Sequence, residues 1–130
     1  MEARVVDVLV PINDESIAWQ HAVLLHRRVG TALVRLDGGT EIEVALDCVA
    51  AANPTPDVDD LAELPHLGEP QLLHALALRF ERGAIYTACG PSLLALNPWR
   101  DLPLYTDDLL HRYRSMVHGQ DVIDQPPHIY

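Results

Sequence analysis

The sequence predicts a mixed α+β chain: a small β-barrel first, then an incomplete α/β piece made of a helix, two strands, a loop and a second helix. Three observations predict it. Short β-branched or alternating runs fill the first 50 residues, helical periodicity begins only after residue 60, and a proline- and aspartate-rich stretch separates the two.

Residues 5–10 are apolar and largely β-branched, which predicts a first strand. Pro11, Ile12, Asn13, Asp14 and Glu15 then read as a turn, and residues 18–25, around Trp19, as a second strand. The clearest local signal covers residues 31–45. Ala32, Val34 and Leu36 alternate with Leu33 and Arg35, Asp37-Gly38-Gly39 follows, and Ile42 and Val44 alternate with Glu41 and Glu43. Glycines in that step can take the positive φ of a tight hairpin. So many strands in so short a stretch fit a strongly bent barrel of the SH3-like kind over residues 1–50.

Residues 51–59 carry Pro54, Pro56, Asp57 and Asp59 with little bulky apolar content beyond Val58, as an extended linker would. Asp57, Asp59 and Asp60 lack the remaining positions of a calcium loop, so they read as solvated. From residue 60 onward Leu61, Leu64 and Leu67 recur every third residue. Pro70 is placed for a first helical turn, Leu72, Leu73, Leu76 and Phe80 follow at helical spacing, and Gly83 stops the helix. Residues 84–88 and 92–96 read as two strands meeting at Cys89-Gly90-Pro91, the second too apolar to have a wet face and therefore expected to be covered on both sides. Thr106 can cap a helix that carries Asp107 and Asp108 at its positive end and Arg112 and Arg114 toward its negative end. The pattern dissolves from Val117 onward, and the chain stops at Tyr130 without a recognisable closing element.

Composition excludes several functions. All nine basic residues among 130 are arginines, against 19 acidic residues, for a formal charge of −10. Without lysine there is neither a phosphate-binding G-x-x-x-x-G-K-[ST] loop nor a Schiff base. Scattered arginines on an acidic chain offer no nucleic-acid-binding stripe. Cys48 and Cys89 form no C-x-x-C pair and read as small buried thiols. The seven histidines, among them His21, His26, His66, His74, His111, His118 and His128, show no metal-ligand spacing and read as surface or packing residues. No serine sits in a nucleophile elbow. The charged start at Met1-Glu2-Ala3-Arg4 and the absence of an apolar run near the roughly 18 residues of a membrane span predict a soluble intracellular protein.

One segment stands apart. Asn97-Pro98-Trp99-Arg100-Asp101-Leu102-Pro103-Leu104-Tyr105 leaves a strand and enters a helix through two prolines and two aromatics, and loops at strand ends are where ligands bind. The Asn97 carboxamide can both donate and accept, as a purine edge does, and Pro98 and Tyr105 can supply apolar packing. On local chemistry alone, Asn-Pro is foremost a turn initiator.

The stretch 60–74, then Arg79-Phe80, Ile85-Tyr86-Thr87, Gly90, Asn97-Pro98, Leu102-Pro103-Leu104-Tyr105 and Pro127-His128-Ile129-Tyr130, resembles the beginning of a myosin motor head, of an unconventional class. The upstream run 34–44 is similar to the SH3-like subdomain that precedes many myosin heads. The resemblance implies three parts: an SH3-like barrel over 1–50, a linker over 51–59, and the start of the motor domain over 60–130. It also implies that the family's purine-binding loop falls on Asn97, Pro98 and Tyr105, with Trp99 and Arg100 beside them, lining the adenine side of an ATP site. It implies no catalytic residue and no metal ligand in this chain.

For a complete family member the resemblance implies Mg-ATP as cofactor, actin and light chains or calmodulin as partners beside the remainder of the head, and a cytoplasmic, cytoskeleton-associated location. Nucleic acid and membrane insertion are not expected. Two departures are visible: Pro91 follows Gly90 and removes a backbone donor, and Arg100 stands where lysine is commoner. The sequence contains none of the family's phosphate-binding loop, switch loops, actin-binding surfaces, converter or neck. Activity is therefore not expected from these residues alone. The alternatives are a free-standing SH3-like interaction module, a degenerate motor relic, or a small-molecule-binding protein that kept the purine loop.

Overall fold

The computed structural model describes residues 5–14, 17–117 and 125–129. Glu15, His118 and Tyr130 lie outside the described residues, as does the start at Met1. Five antiparallel strands, β1 (Val6–Asp14), β2 (Ile17–Arg27), β3 (Thr31–Leu36), β4 (Glu41–Ala45) and β5 (Ala50–Ala51), form one sheet in the order β4-β3-β2-β1-β5. A short 3-10 turn at Leu46–Cys48 leads into β5, which returns to pair Ala50 with Leu9 and Ala51 with Val8. This is the SH3-like sheet that the sequence predicts.

Its core follows from period-two alternation. Val8, Val10, Ala22, Ala32 and Val34 are buried together, with Leu24, Leu36, Ile42, Val44, Leu46 and Val49 packed around them. The β3–β4 hairpin keeps the expected register, Thr31 opposite Ala45 through Arg35 opposite Glu41. Gly39 supplies the positive φ, at 85°.

The first turn differs from expectation. β1 does not end at Pro11 but continues to Asp14, with Pro11 opposite Trp19, Asp14 opposite Ile17 and a register shift between them. Proline is tolerated because β5 covers only Val8 and Leu9, which leaves the strand edge open where Pro11 stands.

The second unit opens at a 3-10 turn, Leu61–Glu63, capped by Asp60, whose carboxylate accepts from the Ala62 N–H at 2.9 Å. Helix α1 (Glu69–Glu81) has Pro70 in its first turn, as expected. Gln71 serves its N-terminus: Oε1 accepts from the Gly68 N–H at 3.0 Å, while Nε2 donates to the Ala51 carbonyl at 2.6 Å. A polar side chain thus joins the helix to the last strand of the barrel. The buried positions of α1 are Gln71, Ala75 and Arg79, at i, i+4 and i+8. The leucine stripe is offset from that line, with Leu72 and Leu76 partly buried against Leu61, Leu64 and Ala75, and Leu73 exposed.

Strands β6 (Tyr86–Cys89) and β7 (Ser92–Ala95) form a two-stranded sheet, paired Tyr86 with Ala95 through Cys89 with Ser92. The hairpin accommodates Pro91 because Gly90 takes the first central position at φ 57° and proline's fixed φ suits the second. The expectation of a fully covered second strand fails in this chain: all four residues of β7 are exposed. Among the described residues β6 is the sole strand paired with β7, on one edge. Helix α2 (Asp107–Val117) starts as expected at Thr106, whose hydroxyl accepts from the Leu109 N–H.

Candidate functional site

The segment read as a solvated linker is instead pinned to the second unit. Asn53 is buried and pairs with the His66 backbone in both directions, Nδ2 to the carbonyl at 3.0 Å and Oδ1 from the N–H at 2.8 Å. Asp57 and Asp59 stay about half exposed but reach α1. Arg79 Nη1 donates to Asp59 at 2.8 Å and to the Val58 carbonyl at 2.8 Å, and Arg82 donates to Asp57 at 2.8 Å.

Arg79 is 1% exposed. Its remaining nitrogens donate to the Thr87 hydroxyl at 2.8 Å and the Tyr86 carbonyl at 3.0 Å, so one guanidinium joins α1, the 57–59 segment and β6. The hydrogen bond from Arg82, helped by the charge of both arginines, holds the Asp57 carboxyl below its ordinary range against partial burial. The leucine spacing of the helix points to Leu72, Leu73, Leu76 and Phe80 and not to Arg79 as its inward residues. The signal that could have found it is the i, i+4, i+8 line with Gln71 and Ala75 beside an aspartate-rich stretch.

The 97–105 loop stands on this frame. Asn97 Oδ1 accepts from the Trp99 N–H at 3.0 Å, closing the turn that the Asn-Pro pair predicts. Trp99 takes φ 53°, rare for a residue with a β-carbon, and its side chain is 88% exposed. Leu104 N–H bonds back to the Leu102 carbonyl at 2.8 Å. The loop bounds an open cleft of about 590 Å³ whose lining includes Ile85, Asn97, Pro98, Trp99, Arg100 and Tyr105. All five loop residues singled out from the sequence therefore border one space.

Behind the cleft the Tyr105 hydroxyl meets the hydroxyl of Tyr86 on β6. His128 lies among three tyrosines, its ring centroid 5.0 Å from Tyr86, 5.9 Å from Tyr105 and 4.9 Å from Tyr113 of α2. Among the described residues no group of three or more His, Cys, Asp or Glu side chains is placed to hold a metal ion. Both cysteines are free and half-buried.

An SH3-like sheet leading through a pinned segment into a helix, a hairpin and an Asn-Pro loop is the arrangement that opens a motor head. The family model for the myosin head (motor domain) matches residues 58–130, and the chain belongs to that family. It is 35% identical to myosin-J heavy chain of Dictyostelium discoideum over 92% of its own length and 5% of that protein. It is 36% identical to unconventional myosin-Va of Rattus norvegicus, over 92% of this chain and 7% of that protein. The likeness to unconventional myosin-Vb of Mus musculus is also 36%, over 98% of this chain and 7% of the relative. The chain thus spans less than a tenth of the length of these relatives.

Proposed function

We propose that the 97–105 loop receives the adenine of ATP within an actin-based motor of the cytoplasm, and that this chain supplies the purine side of the site. The observation that carries this reading is that Asn97, Pro98, Trp99, Arg100 and Tyr105 border one open cleft in a chain of the myosin head family. The donor set suits a purine: a carboxamide with its Nδ2 still available as donor, an apolar proline, and two aromatic rings. When bound, Mg-ATP would bring the phosphoanhydride whose cleavage drives the family's movement. The residues of this chain bind and orient the base.

The 130 residues themselves do not turn ATP over, because no lysine and no phosphate-binding glycine loop occurs among them to stabilise transferring charge. Actin, light chains or calmodulin would be partners of the longer protein through surfaces outside this sequence. The test is adenosine at millimolar concentration added to the isotope-labelled chain, followed residue by residue by NMR. The expected shifts lie at Asn97, Trp99, Arg100 and Tyr105 and vanish in Asn97→Ala, while calorimetry with ATP shows no heat above background. Silence of the loop would overturn the adenine reading, and robust ATP turnover lost in Asn97→Ala would overturn the claim of inactivity.

A further inference from the structure

We propose that His128 is a positioning residue for the 97–105 loop, holding it in the shape that forms the cleft. The functional consequence rests on the adenine reading above; the positioning role does not.

The loop's own hydrogen bonds at Asn97–Trp99 and Leu102–Leu104 are short-range, and they fix turns without fixing where the loop sits. Its placement comes from outside, from two contacts: the Tyr105 hydroxyl meets that of Tyr86 on β6, and His128 reaches the loop backbone. His128 Nε2 donates to the Leu104 carbonyl at 2.8 Å, across 24 residues of sequence. A carbonyl can only accept, so this bond requires the proton on Nε2. The same ring meets Tyr105 nearly edge-on at 72°, the geometry in which the positive edge of one ring faces the negative face of another. Tyr105 is the last residue of the loop and an expected wall of the cleft.

His128 is itself held. The Tyr113 hydroxyl donates to the Pro126 carbonyl, which fixes the 125–129 segment to α2 two residues before the imidazole, and the Tyr113 ring then lies 4.9 Å from it. On the other side stands Tyr86, whose carbonyl is bonded by the buried Arg79. The imidazole thus sits between Tyr113 of α2 and Tyr86 of β6, a strand held by Arg79, and from there it reaches the loop.

The test uses the full 130-residue chain and two substitutions that separate the two properties of the ring. His128→Phe keeps an aromatic ring and deletes the donor. His128→Gln keeps a donor near the Nε2 position and deletes the ring. The expected result is displaced or broadened NMR resonances at Asn97, Leu104 and Tyr105 in His128→Phe, with Leu104 partly restored in His128→Gln. Adenosine affinity should fall roughly fivefold in His128→Phe, the weight of one net hydrogen bond, and less in His128→Gln. Loop resonances at wild-type positions in His128→Phe would overturn the proposal. In the wild-type chain, the histidine nitrogen spectrum should show the Nε2–H tautomer, and the Nδ1–H tautomer would overturn the proposal even if neither variant folds. Absence of any adenosine response in the wild type would overturn the adenine reading alone, since the loop resonances decide the positioning role without ligand.

Discussion

Arg79 Nη1 lies 2.8 Å from Asp59 Oδ1, joining a guanidinium that is 1% exposed to a carboxylate whose side chain is 55% exposed. The pair is asymmetric in solvation. The cation has left water and depends on its partners, whereas the anion keeps most of its hydration. Arg79 also satisfies two backbone carbonyls and a buried hydroxyl, so its loss strands more groups than its charge alone suggests.

Arg79→Leu should therefore destabilise the chain by about 3 kcal/mol, the range for removing one member of a buried polar network. Asp59→Asn should cost much less, about 1 kcal/mol, because the carboxylate is half in water. Urea unfolding followed by far-ultraviolet circular dichroism gives both values. Equal midpoints for Arg79→Leu and wild type would show that the network is incidental.

His21 and His74 predict opposite pH responses at the contact between the sheet and α1. Burial alone would lower His21, but the hydrogen bond and charge of Asp37, at 2.6 Å, and then those of Asp7, at 3.2 Å, outweigh it and raise the imidazole. His74 is lowered, by burial first and by the charge of His21 second, against the pull of Asp37 and Glu81. A raised histidine gives stability that is complete below its unfolded value of about 6.5 and is lost as pH rises through the folded value. A lowered one gives stability present above 6.5 and lost as pH falls below it. His74→Gln should thus leave a chain that gains stability from pH 8 to 6, and His21→Gln one that loses it. Urea midpoints across that interval check the two signs, and the same slope in both variants would refute the assignment.

The barrel was legible because alternation is a local property: Ala32, Val34, Ile42 and Val44 face one core, and the Asp37-Gly38-Gly39 step fixes their register. The ends of α1 and α2 were legible for the same reason, since Pro70 and Thr106 act on the turn that follows them. The loop residues Asn97 to Tyr105 could be singled out by type and spacing. What holds them could not. Arg79 meets Asp59 across 20 residues and His128 meets Leu104 across 24, and neither contact has a sequence period. Asp57 and Asp59 read as solvated because an aspartate-rich stretch looks the same in sequence whether or not an arginine faces it.

Gly90→Ala should weaken the β6–β7 hairpin through the backbone alone. Nothing lies within 4 Å of where its β-carbon would stand, yet φ is 57°, a region that costs an L-residue roughly 1–2 kcal/mol. Gly38→Ala is the matched control, with equally open space and no positive φ, and should be nearly neutral. Hydrogen exchange at Thr87 and Ala88 should speed up in Gly90→Ala only. Unchanged exchange there would mean that Asp60, which accepts from the Gly90 N–H at 3.0 Å, carries the turn without help from the glycine.

β7 should govern how the chain behaves at high concentration. Leu93 and Leu94 are 40% and 38% exposed and point to opposite faces of a strand paired on one edge. An apolar strand with an open edge is a template for pairing with another chain, and charge on the strand is the usual protection. Light scattering should therefore show self-association of the wild-type chain that rises with concentration. Leu93→Lys with Leu94→Lys should suppress it while leaving the barrel's unfolding transition unchanged, because neither leucine belongs to the barrel core. A wild-type chain that stays monomeric at every concentration would show that the edge is protected in some other way, and the two lysines would then have nothing to suppress.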